Sequence, residues 1–529
     1  MSDTPINAAQ FAPFHARARP GFVEVAQAGA RERLRGLVWP ALISLAALAA
    51  AAPLWVSSFL PFQDAPEHLA AVRVIADYSK PAPGFRDFFV LDLRRLEYLG
   101  FYLPAAALAR LVGSADACRI LLTLVALALP AAAVLLLRSF KRDFRLAVFA
   151  PALFHTVPLY LGFFNFTASV PATIAAVALT ERELHAPTRT RGLLLGLLSA
   201  CLLWLHPSGL GLALGAAGLL AISSGERWRK IGRGLLPLLP ASLLLAIWAL
   251  KDLLARPQAR SGTGLTWDPL SLRLLDMLRF GNVLAGHADE VFAAALLVLF
   301  LGAALTPRVR SREAMPSLEV PRLRAFRLPL LAVATVALYL ALPSAIGNAG
   351  FINLRALPFL AMLVLCTPLL ARRRAVSALL AAAVALQLGY SILLSSEYRA
   401  FDREAGAQQL ESVLARAQPG KRLLAIIYQQ DSKVFQFASY LHFGLYYEIE
   451  RGGRARFNFA EFPWTPVRFR PGTALPLPRS LENHPERFRA SRDAIDEDYL
   501  LLREPGPPPG APFSLLVREG RWALYQRGQ

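Results

Sequence analysis

Long apolar blocks, broken by short charged turns, run along the chain from Leu37 to Leu394. A membrane-spanning helix takes about 20 mostly apolar residues, with about 17 tolerated. The pattern predicts a first span over Leu37–Leu60. Ten more blocks follow at 117–137, 146–161, 167–180, 192–206, 208–223, 234–250, 291–305, 328–343, 356–371 and 375–394, making about eleven in all. Basic residues fall in alternate turns, at Arg138–Arg145, Arg182–Arg191, Arg227–Arg233, Arg308–Arg327 and Arg372–Arg374. The turns Gly162–Phe166 and His206–Gly209 hold none, and Ser344–Arg355 holds one. This alternation follows the positive-inside rule. It predicts a cytoplasmic N-terminal segment over 1–36 and a tail outside the cytoplasm. Ala50-Ala51-Ala52 resembles a signal-peptide cleavage site. The charged leader alone exceeds the about 15–30 residues of such a peptide, so an uncleaved span is expected. Tyr98–Val112 is apolar but short and carries Arg110. Counting it as a span would reverse every later loop, so a re-entrant or surface-lying helix on the outer face is expected.

After Ser395 the pattern changes. Phe401–Ala417 has helical spacing and Pro419-Gly420 breaks it. Leu423–Tyr428 is a short apolar run suited to a buried strand. Tyr499–Arg503 and Ser514–Tyr525 read as strands, joined by the proline-rich Pro505–Pro512, with a turn at Glu519-Gly520. The expected architecture is an α-helical polytopic membrane domain over 37–394, with outer loops at 61–116 and 251–290. A small extracytoplasmic α/β domain with a mixed sheet follows over 395–529.

Composition acts mainly by exclusion. The chain has 529 residues, 55% hydrophobic and 18% charged, with a mean hydropathy of +0.41. Soluble chains carry about a quarter charged residues, so a large soluble enzyme with one core is excluded. The net charge of +20 comes from 57 basic and 37 acidic residues. Much of it sits in the short turns, where it sets topology. The bilayer is the expected partner and nucleic acid is not. Cys118, Cys201 and Cys366 lie inside apolar stretches without ligand-like spacing, which supports neither a disulfide framework nor a zinc site. No Walker loop, His-Glu-x-x-His, Gly-x-Ser-x-Gly or paired Cys-x-x-Cys occurs, so ATP-driven transport and zinc proteolysis lose their usual signatures. Asp496-Glu497-Asp498 fits an Asp-x-Asp pattern but is read as a solvated face. The sequon Asn165-Phe166-Thr167 is read as chance in a tight apolar turn.

The first outer loop opens with Pro61-Phe62-Gln63-Asp64-Ala65-Pro66-Glu67-His68-Leu69. Asp64 stands just past the first span, where a carboxylate can meet both water and the bilayer edge. A structural reading competes with a chemical one. Asp64 and Glu67 have capping-box spacing, Pro66 suits a first helical turn, and Leu69, Val72 and Ile75-Ala76 would face the membrane. His68 shares a helix face with Asp64. The two form a potential metal pair with no third ligand nearby. Asn165, His206, Asn353 and Arg355 lie in turns expected on the same side as Asp64, with His155 deeper. Polar groups at such depths are costly and often functional, while each singly also suits a cap or a packing bond. Arg355 fits a bidentate grip on phosphate and equally a snorkelling anchor. Asn282, His287, Asp289 and Glu290 add polar groups to the second long loop without a scheme.

An acidic residue after the first span, a first outer loop with surface helices, many spans and a C-terminal external domain together resemble the GT-C superfamily of integral-membrane glycosyltransferases. Gln63–Leu69 is similar to an Asp-x-Pro-x-His-Leu sequence of some bacterial members. Gly162-Phe163-Phe164-Asn165-Phe166 and Leu205-His206-Pro207 also look like their segments. Many relatives carry two neighbouring acids in this loop, where this chain has Asp64 and Glu67.

The resemblance implies hexosyl or pentosyl transfer from a polyprenyl-phosphate-linked sugar to a glycan, lipid or protein acceptor of the cell envelope. The reaction would run on the outer face of a bacterial inner membrane. Asp64 would be the base, with Glu67 and His68 in the catalytic group. Arg355 would hold the leaving phosphate with His206 as second donor, and Asn165 and Asn353 would complete the substrate-binding set. The tail would position the acceptor. No cofactor is certain, a metal need not be essential, and a divalent metal, used by some relatives, is possible. The alternatives are a transporter or flippase for a lipid-linked substrate, and a non-catalytic assembly protein. Transport predicts internal repeats and broken helices meeting at mid-bilayer, whereas the polar residues here gather at one face.

Overall fold

The computed structural model describes residues 22–95, 97–255, 264–307, 326–347, 349–371 and 373–528, without the side chains of 22–35 and 252–255. Most of the expected N-terminal segment 1–36, including Arg17 and Arg19, lies outside the described residues. So do most of the basic turn from Arg308 to Arg327 and Arg372. The chain divides into two compact units, Met1–Leu42 and Ile43–Gln529. In the first, the described residues belong to helix α1 (Phe22–Ala51), which contains Pro40.

The second unit is mostly helical. After α1 come α2 (Ala65–Asp77), α3 (Leu99–Val112), α4 (Ser114–Ser139), α5 (Phe164–His185), α6 (Arg189–Leu205) and α7 (Pro207–Ile222). Further on are α8 (Ala288–Leu305), α9 (Arg327–Ala341), α10 (Leu357–Cys366), α11 (Arg374–Ala405) and α12 (Ala407–Ala415). Among the described residues, five stretches are long and apolar enough to cross a membrane: Gly36–Trp55, Ser114–Ser139, Trp228–Lys251, Ala288–Leu305 and Arg374–Ala405. Five shorter apolar ones are Leu99–Val112, Phe144–Tyr160, Pro207–Ile222, Arg327–Ala341 and Asn353–Cys366. Length and composition alone do not confirm the expected count of spans. One reason is proline. The block 146–161 folds as a 3-10 segment through Pro151 followed by a single turn at Val157–Tyr160, because each proline removes a helical donor. Leu193, Leu197, Leu243, Leu250, Val298 and Val333 are exposed. Such outward apolar surface suits lipid contact and would be a liability in water.

The tail forms the expected mixed sheet. Two short antiparallel pairs, β1 (Phe89–Leu91) with β6 (Val467–Phe469) and β2 (Leu265–Thr266) with β3 (Ala345–Ile346), lie outside it. Strands β4 (Arg422–Ile427), β5 (Arg454–Ala455), β7 (Tyr499–Arg503), β8 (Phe513–Glu519) and β9 (Trp522–Arg527) run in the order β5-β4-β7-β9-β8. Strand β4 is parallel to both of its neighbours, and β9 is antiparallel to both of its own. β7 is buried throughout, as a central strand requires. Leu424, Ile426, Leu500, Leu502, Phe488 and Phe513 form a core on one face. The Asp496-Glu497-Asp498 run departs from the solvated face expected of it. Glu497 is 1% exposed and receives Arg454 at 2.9 and 3.1 Å, Asp496 receives the same guanidinium at 2.6 Å, and Asp498 pairs with Arg422.

Several connections hold the sheet region against the helices. β1 (Phe89–Leu91) pairs antiparallel with β6 (Val467–Phe469). Asp402 at the end of α11 accepts from the Ser58 and Phe59 amides at 2.5 and 3.1 Å, and Ser439 donates to the Pro61 carbonyl at 3.0 Å. Both ends of the Ser58–Pro61 link are thereby fixed just ahead of Asp64.

Candidate active site

The polypeptide leaves α1, crosses a short link and enters α2 at Asp64. Two backbone bonds tie this entry to a second segment: the Gln63 amide donates to Tyr160 O at 2.9 Å, and that of Asp64 to Leu161 O at 3.3 Å. The neighbouring Gly162 has φ +93°, a region only glycine occupies without strain. A Cβ there would lie 2.7 Å from Asp64 Cβ and 2.9 Å from its backbone nitrogen. The glycine of the 162–166 turn is therefore what allows this approach.

Asp64 occupies the N-cap position of α2 but makes no side-chain capping bond. Glu67 does not reach back to form a capping box; its Oε2 accepts from the Phe459 amide at 2.7 Å. The capping reading fails because the tail competes for both carboxyl groups. The helix is also buried on nearly every face, Glu67 and His68 included, packing against α3 and the tail. Its apolar stripe thus faces protein, in place of the membrane surface expected of it.

The side chain that meets Asp64 comes from the tail. His442 Nε2 lies 3.3 Å from Asp64 Oδ1, while His442 Nδ1 lies 2.9 Å from Glu482 Oε1 and 3.5 Å from Glu67 Oε1. The imidazole is 4% exposed and Glu67 is fully enclosed. Burial alone would push His442 below its ordinary value. The Glu482 carboxylate, with hydrogen bonding to Asp64, outweighs burial and holds it well above. At neutral pH His442 is an imidazolium. Burial drives Glu67 the other way for a carboxyl group, up to about 8, so it keeps its proton. The result is a cation between Asp64 and Glu482 with a neutral carboxyl beneath.

His68 is held elsewhere. Its Nδ1 lies 2.6 Å from the Tyr102 hydroxyl and its ring stacks on Phe164 at 4.7 Å. Burial pushes it down to about 4, leaving it neutral. Asn165, buried in the first turn of α5, bonds the same hydroxyl. Among the described residues no three His, Cys, Asp or Glu side chains are placed to hold a metal ion. His68 Nδ1 is taken up by Tyr102, and the expected Asp64–His68 metal pair gains no third ligand among the described residues.

The remaining expected residues gather on the far side of the 160–166 turn. The Arg355 guanidinium sits over the Phe163 ring, 5.7 Å from its centre. His206 packs edge-on to Tyr98 at 5.2 Å and Phe166 at 5.5 Å. Its Nδ1 accepts from the Ser208 amide at 3.2 Å, capping α7. That bond places the ring proton on Nε2, so the cap leaves an N–H free to donate. Asn353 is 2% exposed in a 3-10 turn with Arg355. Three atoms here, Asn165 Oδ1, Asn353 Nδ2 and Arg355 Nε, are buried without a hydrogen-bond partner. Arg355 has no carboxylate partner among the described residues. Thus Asp64, Glu67, His442 and Glu482 form one group, while Arg355 and His206 both pack on aromatic rings of the turn whose Gly162 lies against Asp64. His155 stands apart as a packing group, 2.6 Å from Ala50 O and 3.2 Å from Tyr160.

No family model matches the sequence, and no curated protein matches it. Solved structures do. ArnT from Cupriavidus metallidurans in the apo state aligns with a TM-score of 0.54 at 11% identity, over 93% of this chain and 98% of that one. The same protein bound to undecaprenyl phosphate aligns at 0.55 and 11%, over 92% and 98%. The chain shares the fold of ArnT. His442 and Glu482 were not legible in advance: each is a lone residue outside any motif. The only local sign of His442 is its place in the otherwise apolar and aromatic Tyr440–Leu445 run.

Proposed function

We propose that this protein is a membrane glycosyltransferase, moving a sugar from a polyprenyl-phosphate donor to a cell-envelope acceptor on the outer face of the bacterial inner membrane. Its N-terminus would be cytoplasmic and its sheet region extracytoplasmic. The observation that carries the reading is the carboxylate of Asp64. It is freed from capping, clamped by His442 and separated by one glycine turn from an unpaired guanidinium. A fold shared with ArnT, crystallised with undecaprenyl phosphate, supports the donor class.

In the proposed reaction Asp64 orients the acceptor hydroxyl and takes its proton as the oxygen attacks the anomeric carbon. The bond from that carbon to the phosphate oxygen breaks, and the electron pair leaves with the lipid phosphate. Arg355 and His206 Nε2–H stabilise the charge that develops there. His442 acts as a positioning residue that fixes the Asp64 carboxylate, with Glu482 and protonated Glu67 behind it. Asn165, through Tyr102, holds His68 against α3, and Asn353 faces the phosphate side. The transferred group is a hexosyl or pentosyl unit.

Asp64→Asn is the test. General-base loss costs about 10²–10⁴-fold in rate, so envelope glycan modification should vanish while protein level and membrane insertion stay normal. Unaltered glycan at full expression would remove the proposal.

A further inference from the structure

We propose that a cavity of about 770 Å³ in the C-terminal region, framed by Arg456, Arg468 and Arg470 beside Phe462, binds an anionic glycan, the acceptor of the transfer. The assignment of this ligand as acceptor rests on the glycosyltransferase reading; the anion site itself does not.

Arg456 is the anchor. Its residue is 5% exposed, its nearest carboxylate oxygens, on Glu461 and Glu497, are both 3.9 Å away, and its Nε has no hydrogen-bond partner. Glu497 is already engaged by Arg454 at 2.9 Å. A buried cation without close compensation is costly. The side that remains for compensation is the cavity that Arg456 lines. Arg468 has Asp92 at 3.4 Å, and among the described residues the Arg470 guanidinium meets only the carbonyl of Arg86. Three guanidinium groups against the single carboxyl of Glu461 leave the lining with an excess of two positive charges (3 − 1). Guanidinium forks match phosphate and carboxylate alike. Phe462, stacked on Trp464 at 4.5 Å, and Phe469 give the lining aromatic edges for the apolar side of a sugar. A neutral glycan would satisfy the rings but leave the guanidinium excess unanswered.

The cavity is also wired to the reacting centre. Glu461 contacts Arg479 at 3.5 Å, Arg479 contacts Glu482 at 3.4 Å, and Glu482 contacts His442, which touches Asp64. A glycan held here is a few side chains from the base that would deprotonate it.

Calorimetric titration of the full-length protein in nanodiscs tests this, with glucose 6-phosphate and trigalacturonate as charged probes and maltotriose as the neutral one. Binding of a charged probe without maltotriose binding is expected. The probe that binds tells phosphate from carboxylate. Charge-assisted bonds are lost in the rim double variant Arg468→Gln/Arg470→Gln, which should weaken binding about tenfold or more. Arg456→Gln should abolish it, and if that buried variant fails to fold the rim variant decides. Equal maltotriose affinity, no binding of either charged probe, or unchanged affinity in the rim variant would overturn the site. Asp64→Asn should bind the probes normally. Arginine-dependent binding together with an active Asp64→Asn protein would sink the transfer reading and leave the anion site standing.

Discussion

Replacing His442 with alanine removes the cation that lies between three largely enclosed carboxyl side chains. Its nitrogens lie 3.3 Å from Asp64, 2.9 Å from Glu482 and 3.5 Å from Glu67, and these side chains are 13%, 7% and 0% exposed. Breaking a buried pair by deleting one partner costs about 3–5 kcal/mol, and a ring-sized void adds to it. The pH dependence has a definite sign. The folded value of His442 is raised, so its stabilisation is complete below the unfolded value of about 6.5 and fades as pH rises through the folded one. The gap between wild type and His442→Ala should therefore be widest in mild acid and close in strong alkali. Unfolding in nanodiscs, followed by tryptophan fluorescence across that range, measures it. His442→Ala/Glu482→Gln should be less destabilised than the two single variants summed, by about 1–3 kcal/mol. A His442→Ala protein as stable as wild type at neutral pH, or strict additivity with Glu482→Gln, would refute the imidazolium clamp.

Gly162→Ala would place a Cβ 2.7 Å from Asp64 in a left-handed backbone. A loss of about 1–3 kcal/mol in stability is expected, with a larger proportional loss of glycan transfer because Asp64 is displaced. Equal activity and stability to wild type would count against the turn's role. Glu67 keeps its proton up to about pH 8 when folded and releases it near 4.5 when unfolded. Wild-type stability should thus fall as pH climbs between those values, and Glu67→Gln should flatten the slope. An unchanged slope, measured by the same unfolding assay, would contradict the assigned protonation. Arg355→Lys keeps charge but loses the two-pronged grip. Binding of undecaprenyl phosphate should weaken about tenfold, and an unaltered dissociation constant would leave Arg355 as a membrane anchor only.

How far the site could be read in advance depended on distance along the chain. Asp64 was legible because it stands just past the first apolar block, where a carboxylate can meet both water and the bilayer edge. Its structural alternative, a capping box, was equally well spelled by local spacing. Only the Phe459 amide, arriving from the tail, decided against it. His206 shows the opposite outcome, since it caps α7 and still retains a donor, so the two readings were compatible. The Asp496–Asp498 run misled because three acids in succession read as solvated, whereas Arg454 turns Glu497 inward.

The sequence alone determined the apolar blocks, the start of α2 at Asp64, a turn at Gly162–Phe166 and strands close to 423–428 and at 499–503. Each follows from backbone preferences and side-chain periodicity over a few neighbouring residues. The tertiary structure alone decided which carboxylate meets which cation: His442 against Asp64 and Glu67, Arg454 against Glu497, and Arg456 left facing a cavity. Those outcomes depend on burial, because charges in water are indifferent to partners a few ångströms away, while charges excluded from it are compelled to find them.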